Sequence, residues 1–361
     1  MSEDGIIQRL VQCIKTVQDQ SIRIMEVCGT HTRAITKCGI RHLLPQQVEL
    51  LSGPGCPVCV THGSYIDKAL EIANSEDVIL AAFGDMIKVN GTKGSLSDMQ
   101  IQGARIIVVY SPEDVLTIAA KNRDKLVVFA AVGFETTAPL IAAVVKTANA
   151  QRLDNLLFYT ALKIMEPVIR FILQDKRNKI NGLICPGHVA VIKGADYFRF
   201  ITAEFGVPAI VCGFEAADIA AGICMLMVQI AGKRPVEFAN IYRRCVSPQG
   251  NTAAQSMINE VLDIADGAWR GIGVIRNSAL ILNKKYEHLD AAKRFGTGME
   301  QGTSPAGCLC SDILMGLKSP YQCKLFGTTC TPEHSSGPCM VSSEGACAVY
   351  YRYGGGGAGG Q

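Results

Sequence analysis

Leu126-Val-Val-Phe-Ala-Ala-Val132, then Gly133-Phe-Glu135-Thr-Thr137, then Ala-Pro-Leu-Ile-Ala-Ala-Val-Val-Lys-Thr-Ala-Asn-Ala-Gln151, reads as one strand, one tight turn and one helix. The first run is short, wholly apolar and bounded by glycine, as befits a strand covered on both faces. The same alternation extends outward in both directions. β-branched runs recur at Ile22–Val27, Val78–Ala82, Arg105–Tyr110, Asn155–Thr160, Gly182–Cys185 and Pro208–Cys212. Helical patterns fall between them at Ser64–Ala73, Pro112–Lys121 behind the capping serine Ser111, Thr137–Gln151, Pro167–Asp175, Gly194–Phe205 and Ala216–Gly232. Strand-then-helix alternation predicts an α/β fold, here two lobes whose mostly parallel sheets are covered by helices. A further amphipathic helix is expected over the first 20 residues, on Ile6, Ile7, Leu10, Val11, Ile14 and Val17.

Distinctive short motifs close these strands: Cys28-Gly-Thr-His31, Gly53-Pro-Gly-Cys56-Pro-Val-Cys59, Gly84-Asp85, Gly133-Phe-Glu135, Cys185-Pro-Gly-His188 and Cys212-Gly-Phe-Glu215. Open α/β sheets bind ligands along that carboxyl edge, which makes Glu135, His188 and Glu215 candidate cleft residues. A glutamate that opens a helix is also favoured by the helix dipole alone.

At 361 residues, with 48% hydrophobic and 19% charged residues, the chain can build two or three cores and is not a disordered polymer. A net charge of +3 with no Lys/Arg cluster gives no electrostatic footprint for nucleic acid. No window reaches the length of a membrane span, and the acidic Met1-Ser-Glu-Asp-Gly start does not resemble a secretory signal, so a cytoplasmic protein is expected.

Fifteen cysteines in such a compartment point to metal or redox chemistry rather than a disulfide framework. Five lie within the first 59 residues and six crowd between Cys308 and Cys347, which implies a function joining the two ends of the chain. The intervals Cys310-x12-Cys323-x6-Cys330-x16-Cys347 supply four thiolates in a loop-rich segment. They lack the tight pairs usual for zinc, so an iron–sulfur cluster is the better reading and a structural zinc protein the weaker one. Spacing does not choose between Cys308 and Cys310, and Cys339 is a further spare. Cys56-Pro-Val-Cys59 at a strand-to-helix turn suits a thiol/disulfide pair, or half of a zinc site. Cys28 and His31 can present a thiolate and an imidazole to one crevice, a donor set for a transition metal.

Together, Cys28-Gly-x-His31-Thr, Gly-Pro-Gly-Cys56-Pro-Val-Cys59, Gly-Phe-Glu135-Thr-Thr, Pro-Gly-His188-Val, Cys330-Thr-Pro-Glu and Cys339-Met-Val-Ser-Ser-Glu-Gly-Ala-Cys347 closely resemble the HypD family of [NiFe]-hydrogenase maturation proteins, from about residue 20 to residue 353. The resemblance implies a scaffold that carries one [4Fe-4S] cluster. With the small partner HypC it would assemble the Fe(CN)2CO unit of hydrogenase, and HypE would deliver the cyanide. Carried over by motif, Cys28 would bind the iron under assembly with His31 beside it. Cys56 and Cys59 would be the redox pair, and Cys310, Cys323, Cys330 and Cys347 the cluster ligands. Two departures stand out: Thr30 and Arg33 replace family residues in the first motif, the latter a second histidine, and Ser311-Asp-Ile-Leu-Met-Gly follows Cys310 in place of the usual Gly-Glu-Val-Leu-Arg-Gly. An iron–sulfur thiol–disulfide reductase is the alternative function. The expected organisation is a lobe over 20–150 with the Cys28 and Cys56/Cys59 motifs, a second lobe over 151–235, a helical and iron–sulfur region from 1–19 with 236–353, and a glycine-rich tail over 354–361.

Overall fold

The computed structural model describes residues 20–297 and 306–354. The amphipathic helix expected over the first 20 residues lies almost wholly outside them, as does nearly all of the glycine-rich tail. Two sheets form the frame. The first has the order β2-β1-β7-β8-β9, from Val48–Ser52, Ile22–Glu26, Gly182–Cys185, Ala209–Val211 and Phe238–Asn240, and every neighbouring pair is parallel. The second has the order β10-β11-β6-β5-β3-β4, from Leu262–Trp269, Gly273–Leu282, Leu156–Lys163, Leu126–Gly133, Val78–Phe83 and Ile106–Val109. Strands β6, β5, β3 and β4 are parallel, and the β10–β11 hairpin adds to β6 antiparallel. The α/β architecture with two mostly parallel sheets is therefore present.

The division of the chain between the sheets differs from the expected one. The first sheet takes β1 and β2 from one side of residue 150 and β7 to β9 from the other, and the second sheet likewise takes β3 to β5 and then β6, β10 and β11. The lobes thus interleave along the chain, and the region after residue 236 supplies three strands as well as the cysteine-rich loops. The helix Thr252–Val261 runs directly into β10, which begins at Leu262. Gly194–Phe205 is not one helix. Gly194, at φ +89° against the Pro248–Gly250 backbone, ends the helix Gly187–Lys193, and a single turn over Asp196–Phe198 then precedes Phe200–Phe205.

One core fills the space between the sheets and takes in Cys56, Cys59, Cys310, Cys330, Cys339 and Cys347 alongside Met25, Val60, Trp269 and Met340. The remaining sheet faces are covered by helices such as Ala138–Ala150 and Ala216–Ile230. Among the described residues no helix is long and apolar enough to cross a membrane. In the first sheet, connections from β1 run outward to β2 and those from β7 run outward to β8 and β9, so the strand order reverses between β1 and β7. A crevice opens at such a reversal, and the residues that follow β1 and β7 are Cys28 and the Cys185-Pro-Gly-His188 turn.

Candidate functional site

Cys28 leaves β1 in extended conformation and precedes the helix Gly29–Lys37. Its backbone is wedged against the Gly53-Pro-Gly-Cys56 turn. Gly29 N–H donates to Gly55 O at 3.2 Å, and a Cβ on Gly55 would stand 2.4 Å from Cys28 N. Only glycine fits there. The thiol faces the end of β7, with Sγ 4.0 Å from His188 Nδ1. Burial pushes the Cys28 thiol up to about 12, so a thiolate there requires a cation close by.

His31 is fully buried, one turn into the helix. Its Nε2 lies 3.1 Å from Gly213 O. A carbonyl can only accept, so Nε2 carries the proton of the neutral ring and Nδ1 keeps a bare lone pair. That Nδ1 is buried with no hydrogen-bond partner. Burial holds the imidazole near 4, hence neutral at physiological pH and in the form a metal binds. Phe214 packs against both imidazoles, 4.5 Å from the His31 ring and 4.2 Å from the His188 ring. Cys212 Sγ is 3.7 Å from His31 Nε2.

Two carboxylates escaped the sequence reading. Glu26 is buried under the Cys28 turn, where its Oε1 accepts from Thr32 Oγ1 at 2.6 Å and its Oε2 from Cys28 N–H at 3.4 Å. Burial outweighs these bonds and the nearby Arg41, and raises the carboxyl to about 7. Glu344, from the Cys339–Cys347 motif, accepts from Thr30 Oγ1 at 2.8 Å and packs directly on Gly29. The unusual Thr30 therefore ties the two ends of the chain together, while Arg33 is exposed. Glu135 is buried elsewhere: its Oε1 accepts from Met165 N–H and from the Tyr197 hydroxyl, and its Oε2 has no partner. Glu215 stands at the surface 3.5 Å from Arg244. Of the three candidate cleft residues, only His188 touches the Cys28 group.

Cys56 and Cys59 are joined as a disulfide across the first turn of the short helix Pro57–Val60, with Cα atoms 5.2 Å apart. Both are buried, and Cys59 Sγ lies 3.8 Å from Pro338 O, the carbonyl that precedes Cys339. His62 caps the next helix through Ser64 and belongs to the scaffold.

Beyond Pro338 a narrow cavity is lined by all six C-terminal cysteines, Cys308, Cys310, Cys323, Cys330, Cys339 and Cys347, among the apolar side chains of Ile313, Leu325, Phe326 and Met340. Cys310 Sγ and Cys339 Sγ are 2.7 Å apart, and Cys310 also hydrogen-bonds to Cys308. Burial, then the surrounding thiols Cys310, Cys308, Cys330 and Cys323, push Cys347 well up. Burial keeps these thiols neutral unless a metal binds them, and soft sulfur donors around a space suit an iron–sulfur cluster. Among the described residues no three His, Cys, Asp or Glu converge as a site for a single ion. The sulfur groups thus run in sequence through the molecule: Cys28, the Cys56–Cys59 pair, the Cys310/Cys339 pair, and the chamber.

The family model named HypD, described as "Hydrogenase formation hypA family", matches residues 5–354. The hydrogenase maturation factor HypD of Escherichia coli strain K12 is 42% identical over 337 residues, 93% of this chain and 90% of that protein. A putative hydrogenase expression/formation protein of Methanocaldococcus jannaschii is 38% identical over 356 residues, 98% of each chain. The maturation factor HypD of Cupriavidus necator is 39% identical over 343 residues, 93% of this chain and 90% of its own.

Proposed function

This chain belongs to the HypD family of hydrogenase formation proteins, and from that premise we propose that it is a cytoplasmic scaffold on which the Fe(CN)2CO unit of a [NiFe]-hydrogenase is assembled. A small HypC-type protein would share the iron, and a HypE-type protein would supply cyanide. The observation that carries this reading is the donor set at the β1/β7 crevice. It consists of a thiol that ionises only beside a cation, an imidazole whose Nδ1 lone pair is free, and a second imidazole 4.0 Å from the thiol. Soft and borderline donors with positions left open suit ferrous iron that must still receive cyanide and carbon monoxide.

In this reading Cys28 Sγ and His31 Nδ1 hold the iron as cargo. Gly213 O fixes the His31 tautomer, and Phe214 keeps both rings in place. Thr32 and the Cys28 N–H orient Glu26, a carboxyl that titrates near neutrality beneath the metal-binding turn. In the chamber we read the short Cys310–Cys339 contact as a pair apart from the cluster, so that Cys308, Cys323, Cys330 and Cys347 would hold a resident [4Fe-4S] cluster, with Cys308 in place of the Cys310 that the family resemblance suggests. That cluster would supply single electrons. Cys56 and Cys59 stand between the two centres, and their disulfide takes two electrons and two protons to open. A thiol–disulfide reductase would need the pair and the chamber but gives the Cys28, His31 and His188 group no task.

The test is complementation in cells that lack the native protein. Cys28→Ala is expected to abolish hydrogenase activity while the chain accumulates normally. Activity above a tenth of wild type would remove Cys28 from the proposed role.

A further inference from the structure

Arg270 sits in the turn between β10 and β11, where Gly271 and Gly273 take φ +70° and +103°. Its side chain is buried. The backbone N–H donates to Val60 O at 2.9 Å. Nε donates to Thr61 O at 2.7 Å, and Nη2 reaches Asn90 O at 3.5 Å. Val60 and Thr61 directly follow Cys59. On the other side, Gly271 O accepts from Ser311 Oγ at 2.8 Å, and Ser311 directly follows Cys310. One turn is thus wedged between the segment that carries the disulfide and the segment that opens the chamber.

None of the ion pairs found among the described residues includes Arg270. A guanidinium does not shed its proton, and carbonyl acceptors satisfy its hydrogen bonds without cancelling its charge. Burying it is costly unless an anion faces it. Burial disfavours its charge most, and the thiols Cys310, Cys339 and Cys308, then Asp67, act to favour it; the contact of Gly271 with Ser311 sets this turn against the chamber wall. The chamber thiols are likewise held neutral by their surroundings and would ionise only with positive charge close by.

We infer that Arg270 is the fixed counter-charge of the thiolate-bound cluster, raising its reduction potential and joining it through Thr61 to the segment that carries the Cys56–Cys59 pair. The inference rests on the cluster reading of the chamber. An electron that enters the centre adds one negative charge and breaks no bond, so a facing cation favours the reduced form. Arg270 is a tuning residue and does not contact substrate.

The experiment is a potentiometric titration, followed by electron paramagnetic resonance, of the full chain purified without oxygen, with dithionite as reductant and iron and sulfide assayed beforehand. Arg270→Gln is expected to lower the reduced-to-oxidised ratio at any fixed potential at least tenfold, which is 59 mV for one electron. Arg270→Lys, which keeps the charge, should titrate close to wild type. An Arg270→Gln variant that titrates with wild type overturns the inference. If the glutamine variant loses iron and sulfide while the lysine variant keeps them, retention itself shows the need for charge. If both lose them, packing is being read and the inference falls. A wild-type chain without iron and sulfide sinks the cluster reading, and this inference with it.

Discussion

The β1/β7 crevice and the C-terminal chamber both collect sulfur, but they are built by opposite means. The crevice is made by strand ends. Its thiol is held by backbone contacts to Gly55, its imidazole is fixed by a carbonyl, and polar groups of Glu26, Thr32 and Glu344 stand around it. The chamber is made by loops and short helices, has apolar walls, and offers six thiols with Arg270 as the buried cation facing it. Strand ends at a topological reversal leave a crevice that a ligand can enter and leave. Apolar loops closed around thiols retain what they bind, because a thiolate released into such walls is penalised by burial. The contrast matches an exchangeable cargo at one end and a resident group at the other.

The largest expected effect breaks the chamber. If Cys310 and Cys339 form a pair rather than ligands, Cys308→Ser should lose most of the iron and sulfide that copurify under anaerobic conditions, and Cys339→Ser should keep them. Assays of both elements per chain decide it. Loss in Cys310→Ser with retention in Cys308→Ser would restore the ligand set suggested by the family resemblance.

A smaller effect probes the crevice. Glu26 has a folded-state value of about 7 against its ordinary 4.5. Between these values the folded chain keeps a proton that the unfolded chain has released. Its contribution to stability is therefore fully present below about 4.5 and is lost as pH rises to 7. Glu26→Gln cannot ionise and removes that loss. In metal-free protein the variant should gain on wild type across this window by up to about 3 kcal/mol, measured by urea unfolding at pH 5 and pH 8. Parallel pH profiles would show that Glu26 does not titrate in the folded state.

Much of this contrast could be read from the chain. Residues that close strands, such as Cys28, Cys56 and His188, announce themselves because an apolar run ends in a glycine-rich turn, and the crowding of the last six cysteines needs no structure to be noticed. Glu26 was missed because it ends an apolar strand, where a lone carboxylate passes for an outward-facing residue. Thr30 and Glu344 are 314 residues apart, a separation that no local pattern encodes. Arg270 carries no local signal, because a charge beside a Gly-x-Gly turn is ordinary at a protein surface. The fold was legible where strands are apolar on both faces and obscure where they are not. β2 carries the exposed Glu49 in its interior, and β10, an edge strand with Asp263, Ile264 and Asp266 exposed, follows a helix with no breaker between them. The order in space of the two lobes, each assembled from distant stretches, depends on which strands pair across the reversal between β1 and β7, and local periodicity does not specify that.

The central claim is that iron bearing cyanide and carbon monoxide is built at Cys28. Infrared spectroscopy of the chain, copurified without oxygen with its small HypC-type partner, reads this directly. Cyanide and carbonyl stretching bands are expected in the wild-type complex and absent from Cys28→Ala. A cluster-loaded wild-type complex without those bands, or a Cys28→Ala complex that retains them, would contradict the account.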